Sequence, residues 1–555
     1  MTRRVLGLDT FCHDGAACLV EDGAIRVAIS EERLTRKKHC RGFSKTVPYC
    51  LDAARIDIGD IDLLCVTHPY LSDDAGRRMY ERFTVAGRQF ELGKDLAFVD
   101  HYTCHASSAY YTSGFDESLV FVIDGHGSDG TELVTQGFYV ANPDGMSLVY
   151  SRPNRLGALD VGFAFESFTY HLGFENEEFD AGKTMGLSAY GEYLPGARER
   201  LYVIYGDHVC VNPHYIRYND VVRGTTRKVR NVGPRREPGH PINDQHCNAA
   251  AFLQEESERV LVERVQRMLR GRQARHLCLA GGVAMNGLIA NRLREELDLE
   301  AVFVPPMPND AGTAVGAALW AHAVLANAPH EPRDQIVTSA WGRAYDDDAL
   351  PEQVIVDSGL ECRRDLEEFE LLGVATEALM KGAVIGWFQG PAEFGPRALG
   401  HRSILCDPRV VVMKDHVNAR IKKREPFRPF APAVLAEHAE HYFVFEGPSR
   451  FMCFVAPVTP LARDEIPAVV HHDGTARLQT VHQETDERFW RLLTRFFEAS
   501  GVPVLLNTSF NLAGEPIVET PLDAIDTFMR SGMDLLVIEN HVIARRGGPF
   551  VGVAP

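Results

Sequence analysis

The stretch Val5-Leu6-Gly7-Leu8-Asp9 is a short apolar run that ends in aspartate, and the run Leu119–Asp124 repeats this pattern. After the first run, the turn Thr10–Gly15 leads into further apolar strands. After the second, a Gly-His-Gly turn at residues 125–127 does the same. Two openings of this kind predict a duplicated α/β half, although two unrelated strand–turn signals would produce the same spacing.

Duplicated α/β halves occur in the actin-like and sugar-kinase folds, which hold a nucleotide in the cleft between the halves. The 555 residues exceed the usual size of one domain, so we expect at least two. Residues 327–348 are the best linker candidate, because two prolines come early and an acidic run ends the stretch. We therefore predict an α/β protein with an actin-like, sugar-kinase-like duplicated domain over residues 1–340. A second α/β domain follows over residues 350–555.

Composition excludes several classes of protein. Lys and Arg number 58 against 76 Asp and Glu, so the net charge of −18 disfavours a nucleic-acid partner. The apolar runs are far shorter than the ~20 residues that a membrane helix needs, so we expect no membrane partner. Twelve cysteines without a Cys-x-x-Cys pair, and the absence of a recognisable signal peptide, indicate a reduced, cytoplasmic protein.

A candidate metal site is spread over three parts of the N-terminal region. His101 and His105 lie four residues apart in a predicted helix, so both imidazoles project from one face. Asp124 ends an apolar strand, and Asp310 follows another strand and precedes a helix of small residues. Two imidazoles and two carboxylates suit a divalent transition metal such as iron, zinc or manganese. The alternative is two histidines with partners in the core and two helix-capping aspartates.

Other N-terminal residues are candidates for acid–base chemistry and nucleotide binding. His13 lies in the first turn, where an imidazole is a natural base for an acceptor hydroxyl, although a lone turn histidine is more often structural. The pair Gly281-Gly282, followed by Asn286, opens a helix after a strand and would let backbone N–H groups approach a nucleotide. Lys183 would either meet an anion or be a solvated loop lysine.

The C-terminal region carries a set of cations among apolar residues. Arg397 lies in the stretch Gly395–Ser403, and Lys422 opens a run of four cations within Ile421–Pro432. A run of hydrogen-bonding side chains, Asn507–Asn511, ends an apolar strand. Arginine and lysine that converge in this way would hold a phosphorylated substrate, unless the partners are carboxylates of the protein itself.

Taken together, these stretches resemble the O-carbamoyltransferase family of the NodU and CmcH type, which includes the aminoglycoside carbamoyltransferase of tobramycin biosynthesis. The resemblance covers nearly the whole chain, with the motifs in family order. It rests on Glu31–His39, the His101/His105 helix, Gly182–Leu187, Gly281–Val283, Gly395–Ser403, Arg424–Pro432 and Asn507–Asn511.

The resemblance implies that the second domain is YrdC-like and makes carbamoyladenylate from carbamoyl phosphate and ATP. The first domain would then transfer the carbamoyl group to a hydroxyl of a small-molecule acceptor and release AMP. By position, Arg397, Lys422 and Arg477 would hold the phosphates, with Asn507 and Ser509 completing that pocket.

For the first domain, the resemblance implies that His101, His105, Asp124 and Asp310 ligate a metal, iron in the family pattern, which grips the ribose of the adenylate. Magnesium would accompany ATP. His13 would be the base on the acceptor hydroxyl, and the acceptors that suit the family include antibiotic sugars and nodulation oligosaccharides.

Three alternatives remain open from the sequence. A tRNA threonylcarbamoyl-transfer enzyme would share the metal helix but would have to bind tRNA. A sugar kinase on the actin-like half would leave the C-terminal cations unexplained and would produce ADP instead of AMP. A nucleotide-binding regulatory protein would bind the ligands without turnover.

Overall fold

The computed structural model describes residues 2–10, 13–68, 81–153, 160–176, 179–194, 197, 199–206, 208–217, 228–325, 334–345 and 350–547. The chain divides into two compact units, residues 1–12 with 61–335 and residues 13–60 with 336–555. The break at 335/336 lies close to the expected boundary between residues 340 and 350. The segment 13–60 groups with the C-terminal region, which the sequence did not suggest. The domain assignment of 1–340 and 350–555 stays a prediction, and the acidic run at 346–348 lies outside the described residues.

The first unit contains both strands and helices. Its strands are Arg4–Asp9, Leu63–His68, Arg82–Val85, Arg88–Glu91, Leu96–Asp100, Ser118–Ser128, Leu133–Asn142, Gly145–Pro153, Tyr202–Tyr205, His208–Val211, Ile216–Arg217, Lys228–Val229, His276–Ala280 and Ala301–Phe303. Its helices are His101–Ser113, Val161–His171, Ala181–Ser188, Asp244–Leu269, the 3-10 turn Gly282–Met285, Gly287–Glu296, and Ala311–Trp320 continued by the π turn Ala321–Leu325.

The predicted repeat appears in the order and direction of the strands. The strand Arg4–Asp9 runs parallel to Leu63–His68, which runs parallel to Leu96–Asp100. The strand Ser118–Ser128 likewise runs parallel to His276–Ala280, which runs parallel to Ala301–Phe303. In chain order, each opening strand is followed by an antiparallel pair, first Ala16–Glu21 with Ala24–Ser30 and later Leu133–Asn142 with Gly145–Pro153.

One local prediction is wrong. The Gly-His-Gly sequence at residues 125–127 does not turn the chain, because the strand continues from Ser118 to Ser128. The pairing with Leu133–Asn142 instead shifts between Ile123 and Gly127, which is the signature of a bulge. The extra residues of the bulge change the direction of the chain at Asp124, in the second half of this strand. Of the other predicted turn, Thr10–Gly15, residues 11 and 12 lie outside the described part.

The second unit is built on an eight-stranded mixed sheet. In spatial order its strands are Leu360–Arg363, His541–Arg545, Leu535–Ile538, Ile385–Phe388, Arg402–Cys406, Val504–Ser509, Ala431–Leu435 and Gln479–Val481. Further strands are Ala16–Glu21, Ala24–Ser30, Val455–Pro457 and Thr475–Arg477. The α-helices are Glu31–Thr35, Thr46–Ala54, Glu352–Asp357, Glu368–Met380, Met413–His416, Ala439–Tyr442, Pro460–Glu465, Glu487–Ser500 and Pro521–Arg530. The remaining turns are the 3-10 turns Ile58–Asp60, Ala436–His438 and Pro467–Val469 and the π turn Val417–Lys422.

The core of the second unit lies between this sheet and two helices, Glu368–Met380 and Glu487–Ser500. The second helix buries Phe489, Leu492, Leu493 and Phe496, which recur at the three- and four-residue spacing of one helical face. Trp387 from the middle of the sheet is fully buried in the same cluster. This packing fixes the strand Val504–Ser509, whose end carries Asn507 and Ser509.

The short helix Glu31–Thr35 explains why the segment 13–60 belongs to the second unit. The buried guanidinium of Arg33 donates to the carbonyl of Gly395 at 2.8 Å. The guanidinium of Arg36 donates to the carbonyls of Ile517 at 2.7 Å and Pro516 at 3.0 Å. The conspicuous Glu31–His39 motif is therefore fastened to the unit that carries the cations. Within the described residues, no helix combines the length and the apolar character that crossing a membrane requires.

Candidate functional site

The structure brings the four predicted metal ligands together in the first unit. Asp100 caps the helix His101–Ser113 by accepting a hydrogen bond from the Thr103 amide at 2.8 Å. The helix then presents His101 and His105, both buried, with their Nε2 atoms 3.1 Å apart.

Two carboxylates face this pair of imidazoles. Asp124 Oδ2 lies 3.2 Å from His101 Nε2 and 3.6 Å from His105 Nε2. Asp310 Oδ1 lies 3.6 Å and 3.4 Å from the same two atoms. A tetrahedral metal with bonds of 2.0–2.2 Å separates its ligand atoms by about 3.3–3.6 Å, so these spacings fit a first-row transition metal. The donor set, two imidazoles and two carboxylates, suits iron, zinc or manganese.

Helix capping, the alternative role for the two aspartates, does not account for the hydrogen bonds that their side chains make. Asp310 occupies the N-cap position of Ala311–Trp320, but its carboxylate makes no capping hydrogen bond. Asp124 Oδ1 accepts hydrogen bonds from the amides of Gly125 at 2.9 Å and Gly282 at 3.0 Å. One oxygen of Asp124 is thus held by backbone while the other faces the imidazoles.

The pKa values of Asp124 and His105 depend on the other members of the cluster. Burial raises the pKa of Asp124, but hydrogen bonds and charges from His101 and His105 outweigh burial and hold that pKa well below its usual value. Burial and His101 lower the pKa of His105, whereas Asp124 and Asp310 raise it, with a net increase. The Asp124 carboxylate therefore stays ionised in a buried place, as a metal ligand must.

Small residues let the elements of this site approach closely. A Cβ atom at Gly316 would stand 1.8 Å from the Cys104 carbonyl, so glycine allows the helices Ala311–Trp320 and His101–Ser113 to touch. A Cβ at Gly127 would stand 2.4 Å from Cδ2 of His101. The bulged strand end and the glycine-rich helix are thus required for the imidazoles and carboxylates to converge.

The predicted nucleotide-binding residues of the first unit lie in two places. Gly281 and Gly282 adjoin the metal candidate, and Gly281 has a φ of +90° with a would-be Cβ 2.2 Å from the Ile123 carbonyl. Asn286 caps the helix Gly287–Glu296 and donates to Gln254 at 2.8 Å. Lys183 lies on the separate helix Ala181–Ser188, with its Nζ 3.0 Å from a carboxylate oxygen of Asp180.

In the second unit, the buried side chain of Lys422 is one of the three cations predicted to hold phosphate. Its Nζ donates to Ser509 Oγ at 3.1 Å, Asn511 Oδ1 at 2.7 Å and the Asn511 carbonyl at 3.2 Å, and also to the Ser509 carbonyl. All four acceptors are neutral oxygens. These hydrogen bonds therefore orient the Lys422 side chain, and none of the four acceptors brings a negative charge to balance that of an ammonium.

Neighbouring cations surround Lys422. Burial, followed by the charges of Arg424, Lys38 and Arg428, holds the pKa of Lys422 well below its usual value. Burial and Arg428 lower the pKa of Arg397, with only the Cys453 thiol opposing them.

Arg477 joins the same group. Burial and then the charge of Arg397 hold the pKa of the Arg477 guanidinium well below its usual value. Arg477 also donates to the Met452 carbonyl at 2.9 Å, again a neutral acceptor. Buried cations that repel one another create a place where an anion is favoured.

Asn507 is a structural support of this pocket. Its Nδ2 donates to the Ala398 carbonyl at 3.2 Å and to Gln479 Oε1 at 2.8 Å. Gln479 in turn donates to the Leu399 carbonyl at 2.7 Å. The hydrogen bonds to the carbonyls of Ala398 and Leu399 hold the loop that carries Arg397 in place.

Sequence reasoning left out several members of these sites. Asn511 has no predicted role, although its place two residues after Ser509 at a strand end predicts that both side chains lie on one face. Gln479 has no sequence signal of its own, and His39 has one only as the last residue of the Glu31–His39 motif. His13, which was singled out, lies in the second unit, where its Nδ1 is 3.6 Å from Asp14 Oδ2.

The family model described as carbamoyltransferase N-terminus matches residues 4–81 and 78–319, and the one described as carbamoyltransferase C-terminus matches residues 376–545. The nodulation protein NolNO of Sinorhizobium fredii is 36% identical over 97% of this chain and 80% of its own length. A Synechocystis protein described as uncharacterized, sll1178, is 35% identical over 98% of this chain and 97% of its own.

Among solved structures, HypF of T. kodakarensis aligns with 59% of this chain and 48% of its own, at 11% identity and a TM-score of 0.35.

Proposed function

This chain belongs to the carbamoyltransferase family, and we propose that it is an ATP-dependent O-carbamoyltransferase acting through carbamoyladenylate. The acceptor is a hydroxyl group of a small molecule, such as an antibiotic sugar or an oligosaccharide. We propose iron as the resident metal and magnesium as the companion of ATP. The net charge of −18 argues against a nucleic acid as the acceptor.

The observation that carries this proposal is the cation pocket of the second unit. Arg397, Lys422 and Arg477 are held by carbonyl, hydroxyl and amide oxygens or lie beside other cations, and each has a lowered pKa. Two polyanionic substrates, ATP and carbamoyl phosphate, supply the negative charge that this group favours. Guanidinium forks suit phosphate oxygens, and the Lys422 ammonium adds a point charge.

In the first step, carbamoyl phosphate, ATP and one water are converted to carbamoyladenylate, pyrophosphate and phosphate. Water attacks the phosphorus of carbamoyl phosphate, the bond from that phosphorus to the carbamate oxygen breaks, and phosphate and carbamate form. The carbamate oxygen then attacks the α-phosphorus of ATP, and the bond from that phosphorus to the oxygen that bridges to the β-phosphate breaks, which releases pyrophosphate. Arg397, Lys422 and Arg477 bind the phosphate oxygens throughout, whereas Asn507 and Ser509 keep the loop and the lysine in position. Cations of this kind stabilise the charge on the departing pyrophosphate.

In the second step, the acceptor hydroxyl attacks the activated carbonyl and AMP leaves. By family position, His13 takes the hydroxyl proton, and His101, His105, Asp124 and Asp310 hold the metal. When bound there, the metal would grip the ribose hydroxyls of the adenylate. The amides of Gly281 and Gly282 and the side chains of Lys183 and Asn286 are proposed to contact the nucleotide.

The nucleotide product tests this proposal against the kinase alternative. We expect phosphorus NMR of the protein with ATP and carbamoyl phosphate to show pyrophosphate, with AMP accumulating once an acceptor is added. The appearance of ADP together with a phosphorylated sugar would favour a kinase. Binding of both substrates without any product would favour a regulatory protein.

A further inference from the structure

A short loop of the second unit holds an imidazole against the strand Thr475–Arg477. The His471 amide donates to the Thr475 carbonyl at 2.8 Å, and the Gly474 amide donates to the His471 carbonyl at 3.0 Å. Thr475 and Arg477 are two residues apart in this strand, so their side chains project from the same face. The imidazole of His471 contacts the Thr475 side chain and therefore lies on the face from which Arg477 projects.

The hydrogen bonds of Thr475 fix the tautomer of His471. Thr475 Oγ1 lies 2.7 Å from Asp473 Oδ1 and 3.0 Å from His471 Nδ1. A carboxylate oxygen only accepts, so the single hydroxyl hydrogen goes to Asp473 and the hydroxyl oxygen accepts from the imidazole. Nδ1 of His471 therefore carries the hydrogen, and Nε2 carries the lone pair. The Thr475 amide also donates to Asp473 Oδ1, at 3.0 Å, which holds the carboxylate in place.

Nε2 of His471 is buried, although the imidazole as a whole is only partly buried. Within the described residues, no group donates a hydrogen bond to this nitrogen. Most buried polar atoms have a partner, and the exceptions include catalytic groups, whose partner is the substrate. The lone pair of Nε2 is therefore in the position of a base, on the same face as a guanidinium that is proposed to bind phosphate.

The charges around His471 keep the imidazole neutral until an anion binds. Burial, followed by the charges of Arg477 and Lys414, lowers the pKa of His471 to about 3. The lone pair of Nε2 is thus free of a proton at neutral pH. A phosphate group bound by Arg477 offsets the positive charge, raises the pKa of His471 and makes Nε2 a stronger base. The base strength therefore develops when the substrate is bound.

We propose that His471, with its Nδ1 held by Thr475, is the general base that activates the water in the cleavage of carbamoyl phosphate; this inference rests on the proposed function. Nε2 takes a proton from the water as the water oxygen bonds to the phosphorus. The bond from that phosphorus to the carbamate oxygen breaks, and its electron pair leaves with the carbamate. The imidazolium then returns its proton to solvent. The attack of the carbamate anion on ATP removes no proton, so that attack does not need His471.

The test supplies the carbamate either through cleavage of carbamoyl phosphate or directly. The protein receives ATP with carbamoyl phosphate, or ATP with freshly dissolved ammonium carbamate, and phosphate and pyrophosphate are quantified by phosphorus NMR. Calorimetric titration measures the dissociation constant of carbamoyl phosphate. His471→Asn keeps an N–H group for Thr475 but removes the basic nitrogen. His472→Asn is the matched control, because His472 is the exposed neighbour in the same loop.

We expect His471→Asn to lower the rate of phosphate release from carbamoyl phosphate by about 10²-fold, the lower end of the usual contribution of a general base. Pyrophosphate formation from ammonium carbamate should stay at the wild-type rate, because that route needs no activated water. The dissociation constant of carbamoyl phosphate should also stay at the wild-type value. His472→Asn should match the wild type in all three measurements.

Phosphate release at the wild-type rate in His471→Asn, or the same loss in His472→Asn, would overturn the proposal. Equal losses with carbamoyl phosphate and with ammonium carbamate would also overturn it, because they would indicate a role in positioning. If the wild type does not use added carbamate, the dissociation constant decides. An unchanged constant with the lost rate supports a base, whereas binding weakened in proportion to the rate overturns it. Absence of both phosphate and pyrophosphate in the wild type would instead reject the proposed function itself.

Discussion

Lys422 combines full burial with hydrogen bonds to neutral oxygens, and its charge is consequently sensitive to what binds beside it. Its pKa in the ligand-free protein lies well below the usual value because of burial and the neighbouring cations. A bound phosphate favours the protonated amine and raises that pKa. At a pH between the Lys422 pKa of the free protein and that of the complex, binding therefore takes up a proton. The affinity for the phosphate falls as the pH rises through the pKa of the free protein.

We predict that calorimetric titration of the protein with carbamoyl phosphate, in buffers of different ionisation enthalpy, shows proton uptake in this pH range. Lys422→Arg should remove the part of the uptake that this residue supplies, because a guanidinium stays protonated. Equal uptake by wild type and variant would show that another group takes the proton.

Asp124 provides the most direct residue-level test of the metal candidate. Asp124→Asn keeps an oxygen for the amides of Gly125 and Gly282 but removes the negative charge that faces the two imidazoles. We predict at least a tenfold loss of metal affinity, since even residues behind metal ligands contribute about 10–100-fold. Elemental analysis of purified protein measures the bound metal. Asp298→Asn, at an exposed position of the same unit, should retain full metal content.

Some residues of the candidate sites can be predicted from the local sequence pattern, and others cannot. His101 and His105 share a helical spacing, and Asp124 and Asp310 each come after an apolar run, so the local pattern alone points to all four. The structure brings them together, with imidazole–carboxylate distances of 3.2–3.6 Å. The pairing of His39 with Asp14 spans 25 residues and depends on a glycine contact between two loops. A contact of that kind arises only in the folded chain, and one sequence contains no local sign of it.

At the element scale, the helices Ala311–Trp320 and His101–Ser113 meet at Gly316. Because a Cβ there would lie 1.8 Å from the Cys104 carbonyl, a larger side chain must push the two helices apart. We predict that Gly316→Val destabilises the protein by about 1–3 kcal/mol or more and lowers its metal content, since His105 and Asp310 lie on or beside these helices. Thermal unfolding and elemental analysis measure the two effects.

Gly182 supplies the matched control for Gly316. It also lies within a helix, Ala181–Ser188, but a Cβ at this position would meet no atom within 4 Å beyond its chain neighbours and the backbone of its own helix. Gly182→Ala should therefore be neutral or stabilise the protein by up to about 1 kcal/mol and leave the metal content unchanged. Unaltered metal content in Gly316→Val would contradict the view that close helix packing builds the site.

The elements themselves follow largely from the sequence. The apolar runs Val5–Asp9 and Leu277–Ala280 predict strands, and the structure has strands at Arg4–Asp9 and His276–Ala280. The stretch Asp100–Tyr111 contains no Gly or Pro and predicts a helix, and the structure has the helix His101–Ser113. The bulge at residues 125–127 was predicted as a turn, because glycines favour both features and strand pairing decides between them. The grouping of segment 13–60 with the C-terminal region likewise depends on distant contacts, such as that of Arg36 with Ile517.

At the scale of the whole molecule, the two half-reactions should respond differently to metal removal. The candidate metal ligands lie in the first unit, whereas the cation pocket of the second is built from arginines, a lysine and neutral polar side chains. We predict that chelation followed by restoring magnesium for ATP leaves carbamoyl-phosphate-dependent pyrophosphate formation intact but slows carbamoyl transfer to hydroxylamine. Parallel loss of both activities would contradict this division, and re-addition of iron should restore transfer.

The formation of carbamoyladenylate tests the central claim most directly. Purified protein, given ATP and isotopically labelled carbamoyl phosphate without any acceptor, should yield labelled carbamoyladenylate by mass spectrometry together with pyrophosphate. Arg397→Ala should abolish both products while the protein remains folded by circular dichroism. Well-folded, metal-replete protein that forms neither product, or an Arg397→Ala variant as active as the wild type, would contradict the account.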